Sequence, residues 1–122
     1  MPAPWLVQYY VDLDGGNPFR RWADGLPQEV AVFVIAEVER RLSTLGPDVC
    51  RDHWGRSLGG GLYEFRIRRR ELLLRVFFGT SRGRVVVVLG GFDKGAHPKR
   101  QDAAIATARR RLADHRRRFH NI

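Results

Sequence analysis

At 122 residues, the chain has room for one compact domain with a modest core and too few residues for two domains of ordinary size. Its formal net charge of +9 is unevenly spread, because residues 1–50 contain 4 basic and 7 acidic side chains whereas residues 51–122 contain 18 basic and 6 acidic ones. Such a basic half attracts polyanions, which include nucleic acid, ribosomes, anionic membranes and acidic proteins. Charge alone does not choose among these partners.

Cysteine content and hydropathy set further bounds. The single cysteine, Cys50, excludes an internal disulfide, and the N-terminus lacks the basic and then apolar layout of a secretory signal. The apolar runs are shorter than the roughly 18–20 residues that span a bilayer, so we expect a cytoplasmic protein with no membrane contact. Cys50, Asp52 and His53 have a spacing that resembles a metal site, but no second ligand pair follows, and we expect neither metal nor cofactor.

The first predicted elements are a strand and two helices. Trp5–Val11 is aromatic and β-branched and ends at a cluster of turn-forming residues, which predicts a strand. Asn17 then caps a short helix through Trp22, and a second helix begins at Pro27. In that second helix the apolar residues recur every four positions, which predicts one face packed on a sheet; they are Val30, Val34, Val38 and Leu42.

The remaining chain predicts a loop, three strands and a last helix. Residues 47–61 show no clear period and end in three glycines. Strands are predicted at Leu62–Arg68, Leu72–Phe78 and Arg84–Gly90, joined by connections short enough for hairpins. A helix rich in arginine begins at Lys99. The order β-α-α-β-β-β-α predicts an α+β domain over residues 1–122, with a mostly antiparallel sheet and its helices on one face.

Strand alternation predicts a charged face on this sheet. Glu64, Arg66 and Arg68 share one side of their strand, while Tyr63, Phe65 and Ile67 share the other, which we assign to the core. Arg75 stands among apolar residues in the next strand. It is either an edge charge that discourages aggregation or a guanidinium that gathers phosphate oxygens beside Arg66 and Arg68, and we favour the second interpretation.

The segment after the last strand is also basic, and it leads into the N-terminus of the final helix, which favours a phosphate. Its basic residues are Lys94, His97, Lys99 and Arg100, which are either ordinary solvated charges or part of the same site. The arginines of the last helix are likewise a solvated face or contacts for nucleic acid or an acidic protein segment.

These residue types suit RNA cleavage without a metal. The reaction deprotonates a ribose 2′-hydroxyl, stabilises the charge of the phosphorane and protonates the leaving 5′-oxygen. Arginine performs the second task, and histidine suits the first or third because imidazole ionises near neutrality. We therefore consider Arg66, Arg75, Lys94 and His97 as catalytic candidates. Candidates for RNA contact are Glu64, Arg68, Lys99 and Arg100, with Phe77 available to stack on bases.

Short patterns in residues 60–100 resemble the phage-derived, HigB-like branch of the RelE/ParE toxin superfamily. They are Leu62-Tyr63-Glu64-Phe65-Arg66, Arg75-Val76-Phe77-Phe78 and Phe92-Asp93-Lys94 with the basic and proline residues after it. The resemblance implies a RelE-like fold and a type II toxin that cleaves mRNA, often on the ribosome, without a metal. It also implies silencing by a helix-turn-helix (HigA-like) antitoxin. Arg66 and Arg75 match the family's strand arginines, and Lys94 matches its lysine after the phenylalanine.

The chain departs from the family where a longer lysine-rich run usually precedes the proline, since only Gly95-Ala96-His97 stands there. We therefore expect His97 to share the role of Lys94. Two other functions remain open at this point. ParE-like toxins of the same fold bind DNA gyrase and have no nuclease chemistry, and a non-catalytic, phage-derived protein would only follow phosphates with its basic face.

Overall fold

The computed structural model describes residues 4–119, apart from the side chain of Asp52. The ends of the predicted domain 1–122 and the Asp52 carboxylate of the considered metal spacing therefore lie outside the described part. The helices and strands, in chain order, are β1 (Leu6–Tyr9), α1 (Pro18–Asp24), α2 (Gln28–Leu45), β2 (Gly55–Gly59), β3 (Leu62–Arg69), β4 (Leu72–Ser81), β5 (Val85–Asp93) and α3 (Gln101–Phe119). Short 3-10 helices cover Gly46–Asp52 and Pro98–Arg100.

Most of the predicted elements are confirmed. The Asn17 side chain accepts a hydrogen bond from the Arg20 amide and so caps α1, and Gly46 caps the end of α2. The predicted loop over residues 47–61 is wrong, because this segment contains a 3-10 helix and the strand β2. The three glycines end β2 and form its turn into β3, and all three have positive φ angles, which suit glycine.

The five strands form one mixed sheet in the order β1-β5-β4-β3-β2. β2, β3, β4 and β5 are antiparallel neighbours, and β1 pairs with β5 in parallel. The prediction of a mostly antiparallel sheet is confirmed, whereas the predicted element order lacks β2. Two strands therefore form the edges, β1 on one side and β2 on the other.

The helices cover both faces of the sheet, so the prediction that they pack on one face is wrong. On one face, α2 buries Val34, Val38 and Leu42 against a cluster that includes Phe65 and Val76. On the other face, α3 packs its residues Ala108 and Leu112 on a second cluster formed by Leu62, Phe77, Val87 and Leu89. The physical reason is the composition of β5, whose residues Val86 to Leu89 are apolar on both sides and require cover on both.

Within residues 4–119, no helix is both long and apolar enough to cross a membrane.

Side-chain hydrogen bonds join the edge strand β1 to the helical layers. Tyr9 donates to the Glu39 carboxylate of α2, and Tyr10, just after β1, donates to Asp114 Oδ2 of α3 at 2.8 Å. The first strand is thereby held between the two layers of helices.

Candidate nucleic-acid interface

Glu64 is a buried carboxylate surrounded by guanidinium groups. Its side chain is 0% exposed, and its Oε1 lies 2.9 Å from Nε of Arg75 and 3.4 Å from Nε of Arg66. Its Oε2 lies 3.3 Å from Nε of Arg56. We call Arg56, Arg66 and Arg75 the arginine cluster. Three positive charges against one negative charge give the cluster and Glu64 together a formal charge of +2.

Sheet register brings these four residues together. Arg66 on β3 is opposite Arg75 on β4, and Glu64 on β3 is opposite Arg56 on β2. Glu64 and Arg66 are two residues apart on the same strand, so their side chains share one face of the sheet. The site is therefore positioned by three adjacent strands, which hold it more rigidly than loops would.

All three arginines meet Glu64 through Nε, on the inner side of the guanidinium group. This contact leaves the terminal NH₂ groups for a second acceptor. The side chains of Arg56 and Arg66 are 46% and 40% exposed, so these two present their ends to solvent. Arg75 is only 8% exposed, and its Nη1 donates to the Leu74 carbonyl at 3.2 Å. Glu64 thus anchors two guanidinium groups that face outward and a third that stays largely inside.

Burial lowers the pKa of the Arg75 guanidinium, and the charge of Glu64 opposes that shift. An arginine beside a carboxylate keeps its proton at neutral pH. A largely desolvated positive charge interacts more strongly with a nearby anion than a fully hydrated one does. Arg75 therefore adds to the attraction that the outer arginines exert on a phosphate.

The start of α3 lies against the arginine cluster. Gln101, the first residue of α3, donates its Nε2 to Glu64 Oε2 at 3.4 Å. The exposed Lys99 and Arg100 precede it in a 3-10 turn. The positive end of the helix dipole and these two cations favour an anion at the same place.

Lys94 lies at the same end of the sheet as the arginine cluster. Its backbone amide donates to the Leu73 carbonyl at 2.9 Å, and Leu73 is opposite Arg68. The exposed Arg68 therefore lies two residues along β3 from Arg66, and Lys94 lies two residues beyond Phe92, which is the β5 partner of Arg75. His97 is exposed in the following turn, where its amide donates to the Asp93 carbonyl at 3.0 Å. The structure thus brings Arg66, Arg68, Arg75 and Lys94 to one end of the sheet and leaves His97 at its border.

Two of the expected RNA contacts do not fit their positions. Phe77 is 2% exposed and packs beneath α3, so the expectation that it stacks on bases is wrong for this structure. Glu64 is buried and binds arginines, so it has no surface to offer RNA. Both errors have the same origin, because the charged face was expected to be open and α3 covers part of it.

Sequence reasoning missed Arg56 and Gln101. Arg56 fell in the segment predicted as a loop, and the signal that could have found it is the run of glycines before β3, which is typical of a hairpin turn. Gln101 gave no sequence signal, since only the docking of α3 places its amide on Glu64.

The arginines of α3 are bound largely to the protein itself. Arg109 donates to the Leu58 and Gly59 carbonyls at 2.9 and 3.2 Å, and Arg116 donates to the Gly60 carbonyl at 2.8 Å. Arg111 donates to the Leu89 carbonyl at 3.0 Å. These guanidinium groups fasten α3 to the β2–β3 turn and to β5. The helix that carries much of the positive charge therefore uses a good part of it for packing.

Among the residues that the structure describes, no three His, Cys, Asp or Glu side chains form a group fit for a metal ion.

Comparison with curated proteins finds no match to this sequence. A family model, "Phage derived protein Gp49-like (DUF891)", matches residues 21–113, which is 93 of the 122 residues and includes every residue of the arginine cluster. By that match, the chain belongs to the Gp49-like family of phage-derived proteins.

Proposed function

We propose that this protein is the toxin of a type II toxin–antitoxin system and that it cleaves mRNA without a metal ion. The observation that carries the proposal is the arginine cluster, whose outward guanidinium groups and net positive charge suit a phosphate in transfer. The Gp49-like family is generally linked to RelE-type toxins, which supports the same function.

In the proposed reaction, a ribose 2′-oxygen attacks the adjacent phosphorus, so that a 2′-O–P bond forms and the P–O5′ bond breaks. The proton of the 2′-hydroxyl passes to a base, and the departing 5′-oxygen receives a proton from an acid. The products are a 2′,3′-cyclic phosphate and a 5′-hydroxyl end. The phosphorane on this path carries about two negative charges, which the charge of the arginine cluster complements.

Each basic residue has a role in this proposal. Arg56 and Arg66 bind the non-bridging oxygens through their terminal NH₂ groups, and Arg75 adds its charge from beneath. Lys94 and His97 are the proton carriers in this proposal, because Lys94 lies at the end of the sheet that holds the arginine cluster and His97 is exposed in the turn that follows. Arg68, Lys99 and Arg100 hold the phosphates on either side of the cleaved one.

The proposed substrate is mRNA on the translating ribosome, and the proposed regulator is a HigA-like helix-turn-helix antitoxin in the same cytoplasm. The exposed basic side of the sheet suits the first partner, since ribosomal RNA and mRNA present phosphates at high density. Sequencing of the flanking DNA tests the second partner: an adjacent reading frame that encodes a helix-turn-helix protein is the expected result, and its absence would count against this partner.

A translation extract at its ordinary magnesium concentration tests the toxin, and purified RNA in EDTA tests whether cleavage needs a metal. The wild-type protein is expected to stop protein synthesis and cut the ribosome-associated message in the first assay, and to cut RNA at high protein concentration in the second. The Arg66→Ala variant is expected to lose about 100-fold in cleavage rate, because one lost transition-state donor costs about 2.7 kcal/mol or more. Arg66 is partly exposed, so this variant is expected to fold. Arg75→Ala is expected to lose at least as much activity, with its fold checked by circular dichroism.

Arg20→Ala is the matched control, because Arg20 is an exposed arginine on α1 that pairs with Asp24, away from the arginine cluster. It should cleave as fast as the wild type. Intact message at saturating wild-type protein would refute the nuclease. Inhibited supercoiling by gyrase with normal translation would indicate the ParE-like alternative, and salt-sensitive RNA binding without growth arrest would indicate a passive nucleic-acid-binding protein.

A further inference from the structure

A cleft of about 430 Å³ opens between α2 and the outer edge of β3. Three aromatic side chains, Phe33, Trp54 and the buried Phe65, line it together with Arg41 and Arg68. Arg66 and Arg75 of the arginine cluster form part of the same lining, so the cleft is continuous with the proposed phosphate site. Its volume lies within the range of small-molecule sites.

The cleft exists because β2 is shorter than β3. The pairing of the two strands reaches Gly55 opposite Phe65, and the Arg66 amide donates to the Trp54 carbonyl at 2.6 Å. Within the described residues, Ile67–Arg69 of β3 has partners on β4 and none on β2. Backbone groups two residues apart point to the same side of a strand, so the amide and carbonyl of Arg68 face this open edge. They offer one donor and one acceptor to a ligand.

Arg41 and Trp54 form a stacked pair in the cleft. The guanidinium carbon of Arg41 lies 3.2 Å from the centroid of the Trp54 ring, and Arg41 Nε lies 3.2 Å from Glu37 Oε2. Glu37 therefore holds the guanidinium group over one face of the indole ring. A guanidinium plane held in this way is a platform on which a base stacks.

We infer that this cleft seats the base of the nucleotide next to the cleaved phosphate. The inference rests on the proposed function, because it assigns the substrate of that same site. The cleft's four arginines against the single carboxylate of Glu37 favour an anionic ligand, while Phe33 and Trp54 favour a flat aromatic one. A nucleotide combines both properties, and the shared Arg66 places its phosphate at the arginine cluster.

Nuclear magnetic resonance of the full-length protein tests this inference. The three tryptophans, Trp5, Trp22 and Trp54, give three indole N–H signals, of which the Trp54→Phe spectrum identifies one. We expect at least one of AMP, GMP, CMP and UMP to shift the Trp54 signal saturably, with the signals of Trp5 and Trp22 unchanged. Inorganic phosphate alone should leave the Trp54 signal in place. Equal shifts with phosphate, equal shifts of all three indoles, or no shift with any nucleotide would overturn the inference.

Two variants of neighbouring arginines sharpen the test. Arg41→Ala should weaken nucleotide binding at least fivefold, because it removes the stacked platform. Arg40→Ala is the matched control, since Arg40 binds the same carboxylate of Glu37 at 2.6 Å but is 61% exposed and does not line the cleft. Equal effects of the two variants would contradict the inference. RNA cleavage without nucleotide binding in the cleft would refute the role of the cleft and leave the nuclease standing. Nucleotide binding without cleavage would refute the nuclease and leave the cleft as a nucleotide site.

Discussion

Glu64 shows how one residue organises the proposed site. A fully buried carboxylate is costly unless its charge is compensated, and here three guanidinium groups compensate it. Three guanidinium charges face one carboxylate charge, so the excess charge is positive and lies at the exposed ends of Arg56 and Arg66. Glu64 thereby acts as a positioning residue for the arginines and not as a contact for RNA.

Replacing Glu64 with glutamine is expected to lower the free energy of unfolding by about 2 kcal/mol, because buried arginine charge loses its partner. Glu29→Gln is the control, since Glu29 also pairs with an arginine, Arg69, but is 77% exposed, and such surface pairs contribute about 0.5 kcal/mol. Denaturant titration measures both values. Equal losses for the two variants would show that the carboxylate of Glu64 has no special role.

Asp114 predicts a dependence of stability on pH. The hydrogen bond from Tyr10 and the charges of Arg118 and Arg117 hold the pKa of the Asp114 carboxyl below its ordinary value of 3.8. A lowered pKa in the folded protein means that the ionised carboxylate stabilises the fold above pH 3.8 and that this contribution disappears as the pH falls through the lower value. Asp114→Asn should therefore melt at a lower temperature than the wild type at pH 7. Thermal melts at several pH values should show this difference closing below pH 3.8, and a difference independent of pH would contradict the assignment.

At the scale of elements, the sequence predicted the helices and strands whose hydrophobic period and turn residues are local signals. The four-residue repeat of α2 and the Asn17-Pro18 start of α1 are local signals, and both helices appear where expected. The cover on the second sheet face depends on where α3 docks, which no local pattern states. The run Val86 to Leu89 did contain a hint, because an uninterrupted apolar strand is typical of a sheet covered on both faces.

The docking of α3 makes a prediction at Gly79 of β4. A methyl group added there would overlap the Leu112 side chain of α3. Gly79→Ala is therefore expected to destabilise the fold by about 2 kcal/mol through overpacking. Adding Leu112→Ala to this variant should recover part of the loss, because the second change makes room for the first. Denaturant titration of the two single variants and the double variant measures the coupling, and strictly additive losses would contradict this packing.

At the scale of the whole molecule, the charge count predicts which half of the chain is basic but not which of its arginines are available to a ligand. Residues 51–122 carry a net charge of +12, as 18 basic and 6 acidic side chains, yet Arg109, Arg111 and Arg116 are engaged with backbone carbonyls. Strand alternation, by contrast, brought Arg66 and Arg75 together correctly. The contribution of Arg56 was hidden because β2 is short and irregular, with a register shift between Ser57 and Gly59. Local patterns thus predicted two of the three arginines of the cluster, and the pairing of β2 with β3 supplied the third.

This division of the charge predicts the salt dependence of RNA binding. A non-cleavable, 2′-deoxy-substituted RNA should bind less tightly as salt rises, with a slope of about −0.7 in log affinity against log salt for each phosphate contacted. Arg56→Ala should reduce the slope by about 0.7, since it removes one contact. Arg109→Ala should leave the slope unchanged, because its guanidinium group is bound to the β2–β3 turn. Fluorescence anisotropy measures both slopes, and a larger effect of Arg109→Ala would place the binding face on α3.

The chemistry of the cleaved bond gives the most direct test of RNA cleavage by attack of the 2′-oxygen. Once the wild-type protein has been shown to cut a message in the extract, the same message is prepared with a single 2′-deoxynucleotide on the 5′ side of the mapped site. The proposed mechanism predicts that cleavage stops at that site alone, and that the natural message yields 2′,3′-cyclic phosphate and 5′-hydroxyl ends. Unchanged cleavage of the deoxy-substituted message would contradict attack by the 2′-oxygen and, with it, this account of the arginine cluster.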